Sequence, residues 1–189
     1  MLDIIVIGAG SAGASAALMA AKAGKQVLVL DTAKSLTNRA WMENHYGVME
    51  LTGPQLLEIG WQQVKKFGAE IKVEQVISVE KQGEHVVVST ENNTYDAKHV
   101  IIATGLMTEL AEKIGLEMAP GTEPKVKSIV KVDQTGRTSI EGIWAAGALA
   151  GESLHTIITA GHGAKVAINI ISELNGERYV DHDVIKVQQ

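Results

Sequence analysis

The chain of 189 residues contains no cysteine, and that absence removes several chemistries at once. There is no thiol nucleophile, no Cys-based zinc or iron–sulfur site, no disulfide, and no dithiol pair for redox exchange by the chain itself. The same lack fits a reducing compartment, so a cytoplasmic location is expected. No block of Lys or Arg occurs and the net charge is −5, which makes nucleic acid and anionic membrane poor partners. No His–carboxylate spacing reads as a metal site, no Ser-His-Asp arrangement stands out, and there is no internal repeat, low-complexity segment or linker. Ile4 to Ala21 is uncharged over almost a spanning length. Much of it is Gly, Ser and Ala, however, its hydrophobic weight lies at one end, and Asp3 rather than a basic residue precedes it. Neither a membrane helix nor a secretory signal is expected there.

The information present is concentrated in the opening, MLDIIVIGAGSAGASAALMAAKAGKQVLVLD. Ile4–Ile7 reads as a buried strand, Ser11 to Ala23 as a helix closed by Gly24, and Val27–Leu30 as a second buried strand. A helix between two strands makes them parallel. Gly8 permits the tight turn out of the strand, Gly10 lets backbone approach a pyrophosphate, and Gly13 lets the helix pack close to the strand. The helix N-terminus, with Ser11 and Ala12, then faces the phosphates with free N–H groups and a partial positive charge. Asp31, ending the second strand, is placed to accept hydrogen bonds from a ribose 2′-hydroxyl and would repel a 2′-phosphate. An adenine dinucleotide other than NADP is the ligand these residues point to.

Beyond it, Thr37 to Gly53 is irregular. Pro54 suits the first turn of a helix, whose Leu57, Gly60, Trp61 and Val64 recur at helical spacing through Phe67 until Gly68. From Ile71 to Thr104 the apolar runs shorten and turn signals at Gln82-Gly83 and Asn92-Asn93 predict a small antiparallel meander returning to a buried strand, Val100–Ala103. Thr108 to Gly115 is a short helical piece, KSIVKVDQTGRTS a strand and turn, GIWAAG another buried strand, and Leu154 to Leu174 a long last helix ended by Asn175-Gly176. The predicted fold is α/β: a doubly wound parallel sheet of Rossmann type with a small antiparallel meander, one domain over residues 1–189, able to bury roughly 70% of its unfolded surface.

Four segments resemble low-molecular-weight thioredoxin reductases, in that family's order: ENHYGVMELTGPQLLEIGWQQVKKFGAEI, HVIIATG, DQTGRTSIEGIWAAG and ITAGHGAKVA. The resemblance implies FAD bound extended. Its pyrophosphate would lie at Gly8–Gly13, its AMP ribose at Asp31, its adenine against the backbone of Val76, and its flavin near Asn44 and the last helix. Ala103, Thr104 and Gly105, with Gly147, Ala148, His155 and Thr156, complete the implied cofactor set. In that family an NADPH domain with a second glycine loop and a Cys-x-x-Cys pair is inserted after the ATG strand. Here Thr104-Gly105 passes almost directly into LMTELAEKIGLEM, so the resemblance implies an FAD domain made continuous. In the family an Asp also follows AAG. Here it is Ala148, with Glu152 and Ser153 as replacements to be tested; a buried charge-assisted hydrogen bond is worth about 1.5–3 kcal/mol.

The same resemblance puts His155 near the flavin pyrimidine edge, where it would tune the cofactor electrostatically, and His45 beside Asn44 at its border. His162 reads as structural or interfacial, Trp41 and Trp61 as packing or interface residues, Trp144 as core. Three functional classes follow. The first is an oxidoreductase or electron-transfer component supplied by an external redox protein or NAD(P)H. The second is a non-catalytic adenine-dinucleotide-binding module, and the third an NAD-binding protein with another substrate. Homodimerisation is expected, because relatives pair through this domain and a missing domain exposes apolar surface.

Overall fold

The computed structural model describes residues 1–181 and 183–184. In chain order its elements are β1 (Leu2–Ile7), α1 (Ser11–Lys22), β2 (Val27–Asp31), β3 (Trp41–Met42), β4 (Leu51–Thr52), α2 (Gly53–Lys66), β5 (Glu70–Val73), β6 (Val76–Gln82), β7 (His85–Thr90), β8 (Thr94–Ile102), α3 (Glu109–Lys113), β9 (Met118–Pro120), β10 (Ser128–Val130), β11 (Ile143–Ala145) and α4 (Thr156–Asn175). The parallel strands run β5-β2-β1-β8-β11. From β1 the chain winds out one way to β2 and β5 and the other way to β8 and β11, the doubly wound order expected. β8 is longer than its apolar run suggested. Its first half, Thr94–Ala97, pairs antiparallel with β7, and its second half, Val100–Ile102, pairs along the same edge with β11. One strand thus joins the meander β6-β7-β8 to the parallel sheet.

Alternation along the buried strands divides the core. Ile4 and Val6 of β1, Val27 and Val29 of β2, Ile101 and Trp144 face α1 and α4. Ile5, Ile7, Leu28, Leu30, Val100 and Ile102 face the meander residues Val79, Val86 and Val88, with Ala111 of α3 and Val130 of β10. Helix α1 is buried nearly all round, by the sheet on one side and α4 on another, and its alanines make that possible. Small side chains let α4 close in until a Cβ on Gly163 would lie 2.0 Å from the Ala12 carbonyl oxygen. Helix α2 begins in a capping box that the sequence pattern had not revealed: Thr52 and Gln55 each cap the other's backbone N–H, with Pro54 in the first turn.

At the far end of α4 the indole N–H of Trp144 donates to His99 Nδ1 at 3.2 Å. The Arg137 guanidinium stacks 4.6 Å from the Trp144 ring and donates to Glu173 of α4 at 2.5 Å. Burial pushes the His99 imidazole below its ordinary value, consistent with a neutral ring accepting that indole proton. Trp144 is 1% exposed and is core, as its strand pattern indicated.

Candidate functional site

The carboxyl ends of β1, β2, β8 and β11 open on one crevice, where the strand order reverses. Open α/β sheets bind ligands at such a point. A cavity of about 750 Å³ lies along it, within the range of small-molecule and cofactor sites.

At its centre is the turn from β1 to α1. Gly8 has φ +98, and a Cβ there would meet the Ala103 carbonyl oxygen at 2.5 Å. A Cβ on Gly13 would lie 1.8 Å from the Gly8 carbonyl oxygen, so the helix sits against the turn only because neither residue has a side chain. Gly10 is the N-cap of α1; no side chain caps it and no acid lies in its first turn. The first-turn N–H groups therefore have no intrahelical partner and carry the positive end of the helix dipole.

Asp31 is 6% exposed. Its Oδ1 accepts from the Ala9 N–H at 2.7 Å and its Oδ2 from the Ala33 N–H at 2.7 Å. Ala33 has φ 58, a left-handed conformation that a non-glycine residue holds only when its surroundings demand it. The carboxylate thus folds the segment after β2 back over the crevice and pins the glycine turn, with lone pairs left for a ligand hydroxyl.

The other wall comes from α4. Ser11 Oγ and Thr159 Oγ1 are 2.6 Å apart, joining the first turns of α1 and α4. Thr156 Oγ1 donates to Met42 Sδ at 3.1 Å, tying the β3–β4 pair to the same helix start. Behind them the Gly147 N–H donates to buried His162 Nδ1 at 3.0 Å. Burial lowers that histidine's pKa, with Glu152 opposing. His162 is therefore a structural anchor for the loop after β11. At the opposite end Glu74 accepts from Thr90, Asn93 and Tyr95; the Thr90 hydroxyl foremost holds its carboxyl below the usual range.

Of the residues singled out in the sequence, Gly8, Gly10, Ser11, Ala12, Asp31, Val76, Ala103, Thr104, Gly105, Ala148 and Thr156 line this cavity. Four do not. Gly13 and Gly147 are buried behind it as packing residues. Asn44 is exposed in the loop that the pairing of Met42 with Leu51 closes off, and His45 lies in the same loop, bonded to the Tyr46 carbonyl. His155 is exposed at the N-cap of α4, its Nδ1 2.8 Å from Ser153 Oγ. Neither Glu152 nor Ser153 stands in for an acid at Ala148, because Glu152 turns toward His162 Nε2 at 3.6 Å and Ser153 toward His155. Sequence reasoning missed Thr159, the segment Thr32–Thr37 that forms a wall, and Trp61, whose indole N–H donates to the Ala9 carbonyl at 2.9 Å. Helical spacing had marked the apolar face of Trp61, but no local signal marks a bond to a turn so distant in sequence.

The residues present fit a dinucleotide. They supply a glycine turn too tight for a Cβ at Gly8 or Gly13, an uncapped helix N-terminus and a buried carboxylate in one crevice. Among the described residues no helix is long and apolar enough to cross a membrane.

The sequence profile of the pyridine nucleotide-disulphide oxidoreductase family matches residues 2–116 and 48–164. A thioredoxin reductase of Peptoclostridium acidaminophilum is 35% identical over 113 residues, which is 58% of this chain and 36% of that protein. A bifunctional thioredoxin reductase/thioredoxin of Mycobacterium leprae (strain TN) is 40% identical over 108 residues, 54% of this chain and 24% of that protein. The chain thus spans about a third of the first relative's length and about a quarter of the second's. In fold, it is similar to the atypical thioredoxin reductase TRi of Desulfovibrio vulgaris Hildenborough. The TM-score is 0.83 at 18% identity, over 94% of this chain and 99% of that one.

Proposed function

The chain belongs to the pyridine nucleotide-disulphide oxidoreductase family, thioredoxin reductase-like and FAD-binding. From that premise we propose that it holds FAD extended along the crevice and serves as an oxidoreductase or electron-transfer component whose electrons come from an external donor. The observation that carries this reading is the continuous cavity from Asp31, past the uncapped start of α1, to the first turn of α4. There the N–H groups of Ser11 and Ala12 would hold the pyrophosphate, Asp31 the AMP ribose, the backbone at Val76 the adenine, and Ala148 and Thr156 would border the flavin end. When bound, FAD supplies two-electron redox chemistry that no side chain of this cysteine-free chain provides.

The reliance on an outside donor is supported inside the chain. Only Ala103–Thr108 lie between β8 and α3, where the resemblance expects a nucleotide domain, and no second glycine fingerprint occurs. A redox protein partner, or NAD(P)H itself, then delivers electrons at the open flavin end. NAD(P)H would be inefficient there, without a pocket to orient it. Asn44 and His155 belong to this reading only if ligand binding brings their segments inward. One observation favours the alternative of a non-catalytic binding module: Ala148 and its neighbours offer no carboxylate to the cavity.

The visible spectrum of the purified protein, recorded after FAD is added and the excess removed, tests the proposal. A retained flavin band that NADH or NADPH bleaches slowly is the expected result. A retained band that no donor bleaches would favour the binding module, and no retained band would overturn the redox reading and leave the binding module to be judged by its affinity for ADP.

The protein is also proposed to pair with a second copy. Trp41, Tyr46 and Met49 are exposed on the β3–β4 segment, which Met42 ties to Thr156, and Leu154, Ile157 and Ile158 are exposed at the start of α4. Light scattering is expected to give twice the chain mass; a monomer at micromolar concentration refutes pairing.

A further inference from the structure

We propose that Trp61 is a positioning residue for the phosphate-binding turn: its indole N–H, bonded to the Ala9 carbonyl, holds the Ala9–Gly10 peptide with the Gly10 N–H turned into the cavity. The inference rests on the dinucleotide reading and goes beyond it. The Ala9 residue is clamped at both ends. Its N–H donates to Asp31 Oδ1 at 2.7 Å, and its carbonyl accepts from Trp61 Nε1 at 2.9 Å. No peptide bond in the described chain is cis. In a trans peptide the carbonyl and the following N–H point in opposite directions, so a carbonyl fixed on Trp61 sends the Gly10 N–H the other way. Gly8 and Gly10 line the cavity whereas Ala9, 1% exposed, does not. Among the described residues, no acceptor bonds the Gly10 N–H.

The clamp matters because the peptide precedes a glycine. Gly10 has φ −68 and ψ −174, and with no Cβ it tolerates the counter-rotation that would flip the peptide. A flipped peptide would aim a carbonyl oxygen, instead of a donor, at a phosphate. Helix α2 gives the indole a rigid base. Its first turn is locked by the Thr52–Gln55 box. Leu57, Trp61 and Val64 share one face, turned toward α1, where even a Cβ on Gly60 would meet only Ala14 Cβ, at 3.6 Å. The indole is half-buried against the core under α1, so its orientation is set before any ligand arrives.

The test compares dissociation constants for FAD and for ADP, which carries the pyrophosphate without the flavin. The proteins are wild type, Trp61→Phe, and Trp41→Phe as a control at an exposed tryptophan. Trp61→Phe is expected to weaken FAD and ADP by the same factor, about fivefold, the equivalent of one ordinary hydrogen bond. Amide exchange in the Ala9–Gly10 segment of the ligand-free protein should quicken, and Trp41→Phe should match wild type. A site-specific 3-benzothienylalanine at position 61 keeps the bicyclic shape and lacks only the N–H. It should reproduce the loss, and it answers the case in which Phe compromises folding. Unchanged ADP affinity in both variants, whatever happens to the melting temperature, overturns the proposal, as does a loss confined to FAD. Wild type that binds neither FAD nor ADP overturns the dinucleotide reading itself, a different result from wild-type binding left intact in the variants.

Discussion

Gly13→Ala is expected to destabilise the fold by about 3 kcal/mol or more and to abolish retention of FAD. The added methyl would stand 1.8 Å from the Gly8 carbonyl oxygen and 3.2 Å from Val6 Cγ1. The first obstacle is backbone, which cannot rotate away as a side-chain end can. Helix α1 must therefore lift off β1, and it cannot do so freely because α4 presses on its other side. Overpacking in well-packed cores costs about 1–3 kcal/mol and occasionally more; a backbone obstacle puts this case at or above the top of that range. Against a total stability of about 5–15 kcal/mol for an ordinary domain, urea denaturation resolves such a change easily. Lifting α1 also moves its N–H groups away from the pyrophosphate. Gly60→Ala is the built-in contrast. Its methyl meets only Ala14 Cβ at 3.6 Å, and alanine is the better helix former by about 1 kcal/mol, so that variant should be as stable as wild type or more so. Equal stability of the two variants would show that the contact at Gly13 yields without cost.

Asp31→Ala is expected to lower FAD affinity at least about a hundredfold, or about 2.7 kcal/mol. The carboxylate has two tasks. Within the protein it accepts from Ala9 and Ala33, and charge-assisted hydrogen bonds of this kind contribute about 1.5–3 kcal/mol each. Toward the ligand it offers its remaining lone pairs to the AMP ribose. Alanine removes both tasks, strands the buried Ala9 N–H, and releases Ala33 from its left-handed conformation, so the wall built by Thr32–Thr37 loosens. Asp31→Asn should fall between, since an amide keeps one acceptor but turns an NH₂ toward one of the two backbone donors. Equilibrium dialysis with FAD and with ADP measures the effect, and both ligands should lose affinity because the task is at the adenylate end. An Asp31→Ala affinity within threefold of wild type would mean that Asp31 serves the turn alone and that the ribose is held elsewhere.

Much of this was legible beforehand. The strand, glycine turn, helix and second strand at the start occur where their residues indicate. So do the last helix, ended by Gly176 at φ +72, the meander, and the buried strand carrying Trp144. These depend on apolar runs, turn residues and caps within a few positions of one another. The segment from Thr37 to Gly53 was harder. Its two-residue strands β3 and β4 have no periodicity to detect, and they exist because each offers the other a partner across the loop. That pairing sets Asn44 and His45 in a loop that does not line the cavity. His155, expected near the flavin by analogy with relatives, stands exposed at the N-cap position of α4 between the cavity-lining Leu154 and Thr156, with its Nδ1 on Ser153 Oγ, a pairing made by the local turn.

From the order of its residues alone the chain has its parallel sheet, the glycine cradle and the acid at Asp31, because each needs only neighbours along the chain. Its lack of cysteine likewise excludes a thiol-based reaction by the chain itself. Tertiary structure decided which groups hold that cradle in shape. Trp61 reaches Ala9 across 52 positions and Thr159 reaches Ser11 across 148. Such bonds depend on where α2 and α4 come to rest against α1, which small residues such as Ala12, Ala14 and Gly163 allow by letting the helix backbones approach. A side chain's partner at that distance is set by packing of the whole, and no stretch of sequence contains it.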